Sequence, residues 1–96
     1  MDELNLFQVD CEAKLLQALQ RHSASLENRR IEGVRERFVV GNIDRLDLDI
    51  YIYLDGAEIN GFDVDCRFEA ADFDSLDCLR DAFIKKIDEL LNSVAA

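Results

Sequence analysis

Proline is absent from this chain, and glycine occurs only four times in 96 residues. With so few breakers, and with 49 % apolar and 33 % charged side chains, the composition is that of an ordered globular protein. Extended disorder is excluded away from the termini. At this length a single core is expected, in one acidic domain over residues 1–96, burying roughly 60–65 % of the unfolded chain's surface.

Cysteine and histidine are too sparse for most site chemistry. Cys11, Cys66 and Cys78 form an odd set with no Cys-x-x-Cys pair, which suits a reducing compartment better than a disulfide framework. No Cys/His set has zinc spacing, and no glycine-rich loop precedes a helix to cradle phosphate. A cysteine nucleophile would need the single histidine, His22, as its base. Cys11 lies too far around and along the same predicted helix, Cys66 falls on the buried parity of a strand, and Cys78 sits off the apolar stripe of its helix. The expectation is therefore no enzyme, no catalytic residue and no cofactor.

Long apolar runs are missing too, so no membrane span is expected. The opening Met-Asp-Glu has neither a basic n-region nor an apolar h-region, which predicts no signal peptide and a cytoplasmic setting. Basic residues are outnumbered 11 to 21, for a formal net charge of −10. Direct binding to a nucleic-acid backbone needs clustered Lys and Arg and is not expected. The charge is uneven: residues 44–74 hold ten acids against Arg45 and Arg67, whereas residues 21–37 hold five arginines against three glutamates.

What is present is a strongly alternating stretch from Asp44 to Glu69. Leu46, Leu48, Ile50, Ile52 and Leu54 alternate with Asp47, Asp49, Tyr51 and Tyr53, the period of a strand with one buried face. Phe62, Val64, Cys66 and Phe68 alternate in the same way with Asp63, Asp65, Arg67 and Glu69. Asp55-Gly56 and Asn60-Gly61 between them favour tight turns, so the two runs predict an antiparallel hairpin with an acidic, tyrosine-bearing top. Two registers keep the apolar faces aligned. A seven-residue loop over Asp55 to Gly61 sets Tyr53 against Asp63, Tyr51 against Asp65 and Asp49 against Arg67. A tight Asp55-Gly56 turn with a bulge at Asn60-Gly61 stacks Asp49 on Asp63 and Asp47 on Asp65. Opposed like charges disfavour the second, and the Asp-Gly signal favours it.

Upstream, Asp10 is read as the cap of a helix running to about His22 or Ser25, with Leu4 to Val9 open to either helix or strand. Leu26 to Gly33 has no clean period and reads as a connection. Val34 to Val40 reads as a first strand, turned at Gly41-Asn42, which places Arg37 opposite Asp47, Arg35 opposite Asp49 and Phe38 opposite Leu46 in the core. Its Arg35, Glu36 and Arg37 look like protection of a sheet edge. Downstream, Asp74 is read as an N-cap, and Leu76, Leu79, Phe83, Ile87 and Leu90 form one helical stripe widened by Ile84 and Leu91.

The predicted fold is α+β, a two-layer α-β-β-β-α arrangement. Its antiparallel three-stranded meander carries both helices on the Leu46/Ile50/Phe62/Val64 side. The other sheet face should be open. Asp47, Asp49, Tyr51, Tyr53, Asp55, Glu58, Asp63 and Asp65 are the candidate partner-binding residues, on the expectation of a basic protein partner. An inhibitor or immunity-type protein that masks a nuclease or nucleic-acid-binding surface, in part by imitating spaced phosphate charge, fits that face. The alternative is an adaptor domain dimerising through its helices at Ile84 or Leu91, with the acids only solubilising. Asp47-Leu-Asp49 and Asp63-Val-Asp65 could also approach a divalent cation in the Asp-stacked register, although EF-hand spacing is absent.

Overall fold

Helix α1, Leu6–Arg21, starts at Asn5 rather than at Asp10. The Asn5 side chain accepts from the Gln8 backbone N–H at 2.8 Å, and Gln8 Oε1 accepts from the Asn5 N–H at 3.0 Å, a reciprocal capping box. Leu4 and Phe7 pack against the core, so the ambiguous first stretch belongs with the helix. At the other end Ser23 takes a left-handed φ of 56°, and the Ala24 and Ser23 N–H groups return to the Leu19 and Gln20 carbonyls. That pattern closes the helix without a glycine.

The computed structural model describes residues 4–95. After α1 come five strands, β1 Leu26–Glu32, β2 Phe38–Ile43, β3 Leu48–Tyr53, β4 Gly56–Asn60 and β5 Asp65–Glu69, then a short 3-10 turn and helix α2, Leu76–Ala95. The strands form one antiparallel meander in chain order. The α+β class and the two helices stand as expected, and the sheet has five strands instead of three.

Each departure has a local cause. Leu26 to Glu32 is a strand, not a connection, because a bulge between Glu27 and Arg30, with Asn28 at φ 56°, breaks the two-residue period. The bulge leaves Arg29 paired with Glu12 of α1 through two bonds of 2.8 and 2.9 Å. Gly41-Asn42 is not a turn. Gly41 is glycine because a Cβ there would lie 2.7 Å from Leu26 Cδ1, and the chain turns afterwards over 44–47, where Asp47 adopts φ 53°. Residues 33–37 form the β1–β2 turn, so Arg35 and Arg37 do not oppose Asp49 and Asp47, and Glu36 is no strand residue. Gly56-Ala-Glu-Ile-Asn60, read as loop, is strand β4. Neither predicted register therefore exists. The edges are β1 and β5, the first protected by its bulge and its charges.

Both helices cover one sheet face. The core joins Cys11, Leu15 and Leu19 of α1 and Phe83, Ile87 and Leu91 of α2 to Val39, Ile43, Leu48, Ile50, Ile52, Ala57 and Ile59. Leu91 is fully buried, while Leu76 lies at the margin. Ser75, not Asp74, supplies the α2 cap, its Oγ accepting from the Cys78 N–H at 3.1 Å. Phe62, expected inside, is 99 % exposed. Across the two helices Arg80 pairs with Asp10, and Asp88 takes both Arg21 at 3.0 Å and His22 at 3.1 Å. Among the described residues no helix is long and apolar enough to cross a membrane.

Gln8 is the buried polar residue that locks α1 to the sheet. Its Nε2 donates to the Arg37 carbonyl at 2.7 Å and the Ile52 carbonyl at 3.3 Å, while its Oε1 completes the cap. Gln8→Ala removes these partners from buried groups and is expected to cost about 1–3 kcal/mol in urea unfolding. A cost under a few tenths would show that water replaces the amide.

Candidate functional site

The sheet face away from the helices is built in three rows by the strand register. The middle row runs Arg30, Val40, Tyr51, Glu58, Arg67. Toward one end lies Glu27, Asn42, Asp49, Asn60, Asp65, and toward the other Glu32 and Phe38, then Tyr53, Gly56 and Glu69. Strand alternation sends the intervening residues to the core.

An aromatic trio occupies the centre. Phe38 and Tyr53 have ring centroids 5.2 Å apart, Phe38 and Tyr51 6.5 Å, and Tyr51 and Tyr53 6.1 Å with planes within 4° of parallel. Phe38 was expected in the core opposite Leu46; β2 instead pairs Val39 with Ile52, a register displaced by an odd number of residues, which turns Phe38 to the open face beside the tyrosines. All three rings are half-buried, and Val40 among them is nearly covered although no helix lies above it. Together they form an apolar island in a polar face.

The acids around this island avoid one another. Asp49 lies between Asn42 and Asn60, accepting from Asn42 Nδ2 at 3.2 Å, and Asp65 opposes Asn60. Glu58 sits between Tyr51 and Arg67. The amides and Arg67 thus remove the direct like-charge opposition that the Asp-stacked register required. Glu58 also accepts from the Tyr53 hydroxyl at 3.1 Å. Burial, with that bond second, pushes the Tyr53 phenol from 10.0 up to about 12. Because the folded value is the higher one, the resulting stabilisation is complete below pH 10 and is lost as pH rises through about 12. Ultraviolet titration should therefore show a late phenolate that Tyr53→Phe removes; a titration unchanged by Tyr53→Phe would contradict this placement.

Of the eight candidate residues, Asp49, Tyr51, Tyr53, Glu58 and Asp65 share this face. The other three do not. Asp55 is exposed in the β3–β4 turn beside Tyr53, whereas Asp47 and Asp63 lie in the 44–47 and 61–64 turns at the opposite end of the sheet. Sequence reasoning missed Phe38 and Val40, whose only signal was an apolar residue on each parity of one strand. Asp47 and Asp63 line one concavity, but Asn60 separates Asp49 from Asp65, and no group of three His, Cys, Asp or Glu is placed to hold a metal among the described residues. Burial raises the Cys11 thiol to about 12, Cys66 is half-buried and Cys78 is exposed. The ring of His22 is engaged with Asp88.

The chain matches no protein-family model, no curated protein and no solved structure.

Proposed function

We propose that this protein works by binding and not by catalysis, and that the open sheet face docks on a basic surface of another protein. The observation that carries the reading is the Phe38/Tyr51/Tyr53 island left uncovered by both helices in a chain of net charge −10. Rings half out of water gain area when a partner covers them, and tyrosine is enriched at such centres. The rim of Glu32, Asp49, Glu58, Asp65 and Glu69 steers the partner. A nuclease or other nucleic-acid-binding protein is the class of target with a suitably basic surface, and occupying that surface inhibits it. Arg30 and Arg67 interrupt the acids, so the face is better suited to aromatic anchoring with charged steering than to imitation of an even run of phosphates. The free cysteines suit a reducing, cytoplasmic setting.

The test is capture from the host's lysate at low and high salt, comparing wild type with a folded Tyr51→Ala/Tyr53→Ala variant. A basic protein held only by wild type, and released by salt, supports the reading; equal retention by both forms contradicts it.

A second reading has its own observation. Leu6, Val9 and Leu16 on α1 are 85, 42 and 46 % exposed and fall at helical spacing, giving a surface for pairing through the helices. It lies on α1, since Leu91 is in the core and Ile84 packs against it. A dimer in sedimentation that Leu16→Lys dissociates would favour this alternative.

A further inference from the structure

We infer that the sheet end formed by the 44–47 and 61–64 turns is a second docking site, for a basic protein segment that carries apolar side chains. The site is separate from the open face and stands or falls independently of it.

Phe62 is displayed there from a fixed base. The Gly61 N–H donates to the Val64 carbonyl at 2.8 Å, closing a tight turn with Phe62 and Asp63 at its tip. Gly61 has no room for a side chain, since a Cβ would lie 1.9 Å from Leu48 Cδ2. The turn is thus seated directly on a buried leucine, and Phe62 is held out at 99 % exposure. Beside it, half-buried Leu46, Val64 and Leu90 line a concavity of about 350 Å³. An apolar concavity with a fully exposed aromatic at its lip is a surface prepared for contact.

Charge selects the occupant. Asp47 and Asp63 line the same concavity, and both are exposed. Arg45, the one basic residue of the two turns, is directed elsewhere, donating to the His22 carbonyl at 2.5 Å. The nearest cation along α2 on the Leu90 side is Lys86, one turn back. A partner that buries Phe62 must cover two carboxylates, which is favourable only if it brings cations. A second copy paired symmetrically through this end would bring the same two aspartates, and a further −10 of net charge, against them. The same sign repels an anionic membrane. A basic, apolar-faced protein segment meets both demands.

The probe is a labelled amphipathic peptide with leucines on one helical face and lysines on the other, titrated into the isotopically labelled full chain. Its controls are an oligolysine of equal charge and a Leu/Glu peptide. The Leu/Lys peptide is expected to shift the amide resonances of residues 44–47, 61–64 and 90–93. Phe62→Ser should weaken it at least about tenfold, as loss of a central anchor does. Tyr51→Ala/Tyr53→Ala should leave it within about twofold, because distant sites act independently. Equal binding of oligolysine, shifts confined to the open face, or indifference to Phe62→Ser would overturn the inference. So would a wild-type dimer that Phe62→Ser dissociates, since the occupant would then be a second copy.

Discussion

Phe83→Ala is expected to lower the unfolding free energy by about 3–5 kcal/mol, as removal of a fully buried phenylalanine does elsewhere. Phe83 is the largest of the fully buried side chains and stands at the middle of α2. Its ring meets Phe68 of β5 edge-on, with centroids 5.8 Å apart and planes at 75°, and Phe68 in turn lies 6.4 Å from Phe73. Truncation leaves a cavity lined by both helices and the sheet and also ends that aromatic pairing, worth about 0.5–1.5 kcal/mol in its own right. A domain with about 5–15 kcal/mol to lose would be left near its unfolding transition. Urea titration with an unchanged m-value is the measurement. Leu76→Ala at the margin of the same helix is the control, expected below about 1 kcal/mol. Similar losses at both positions would mean that α2 is not seated on the sheet through Phe83.

On the binding side, Tyr51→Ala/Tyr53→Ala is expected to weaken the partner complex by at least about 100-fold. Central aromatic anchors cost about 2 kcal/mol or more when truncated, and each 1.4 kcal/mol is tenfold. Asp49→Asn and Asp65→Asn lie in the outer row beside amides and should behave differently. They should lower the association rate and flatten its salt dependence while changing affinity by less than about tenfold, as rim charges do. Stopped-flow association at several ionic strengths separates the two classes. If the aspartates carried the large effect and the tyrosines none, the face would act through charge alone.

Much of this surface was legible in the sequence, because an unbroken alternation such as Leu48 to Tyr53 admits one strand and two faces. The tyrosines and Asp49 were placed correctly by that alternation alone. What was not legible depended on contacts distant in sequence. Gly41 reads as a turn residue until Leu26 is seen lying where its Cβ would be. Asn28 hides β1, because a single bulge residue shifts the pairing of every residue after it. Gly56 to Asn60 is short, carries two turn-favouring residues and has only Ala57 and Ile59 on its buried side, so it resembles a loop. The two registers weighed for the hairpin both failed for one reason: a strand lies between the two runs. That inserted strand also removes the tension between the Asp-Gly signal and the opposed aspartates, because Asn60 and Glu58 now face the acids and tyrosines of β3. Phe62 was misplaced by the same error, since its parity was counted along a strand that begins only at Asp65.

The central claim is tested most directly by site-specific photo-crosslinking in the native host. A photoreactive side chain at position 51, on the open face, is compared with one at position 16, on the exposed side of α1. The account predicts a crosslinked basic protein from position 51, lost when the cells are lysed into high salt before irradiation, and none from position 16. Crosslinking from position 16 alone, to any partner or to a second copy of the chain, would contradict it.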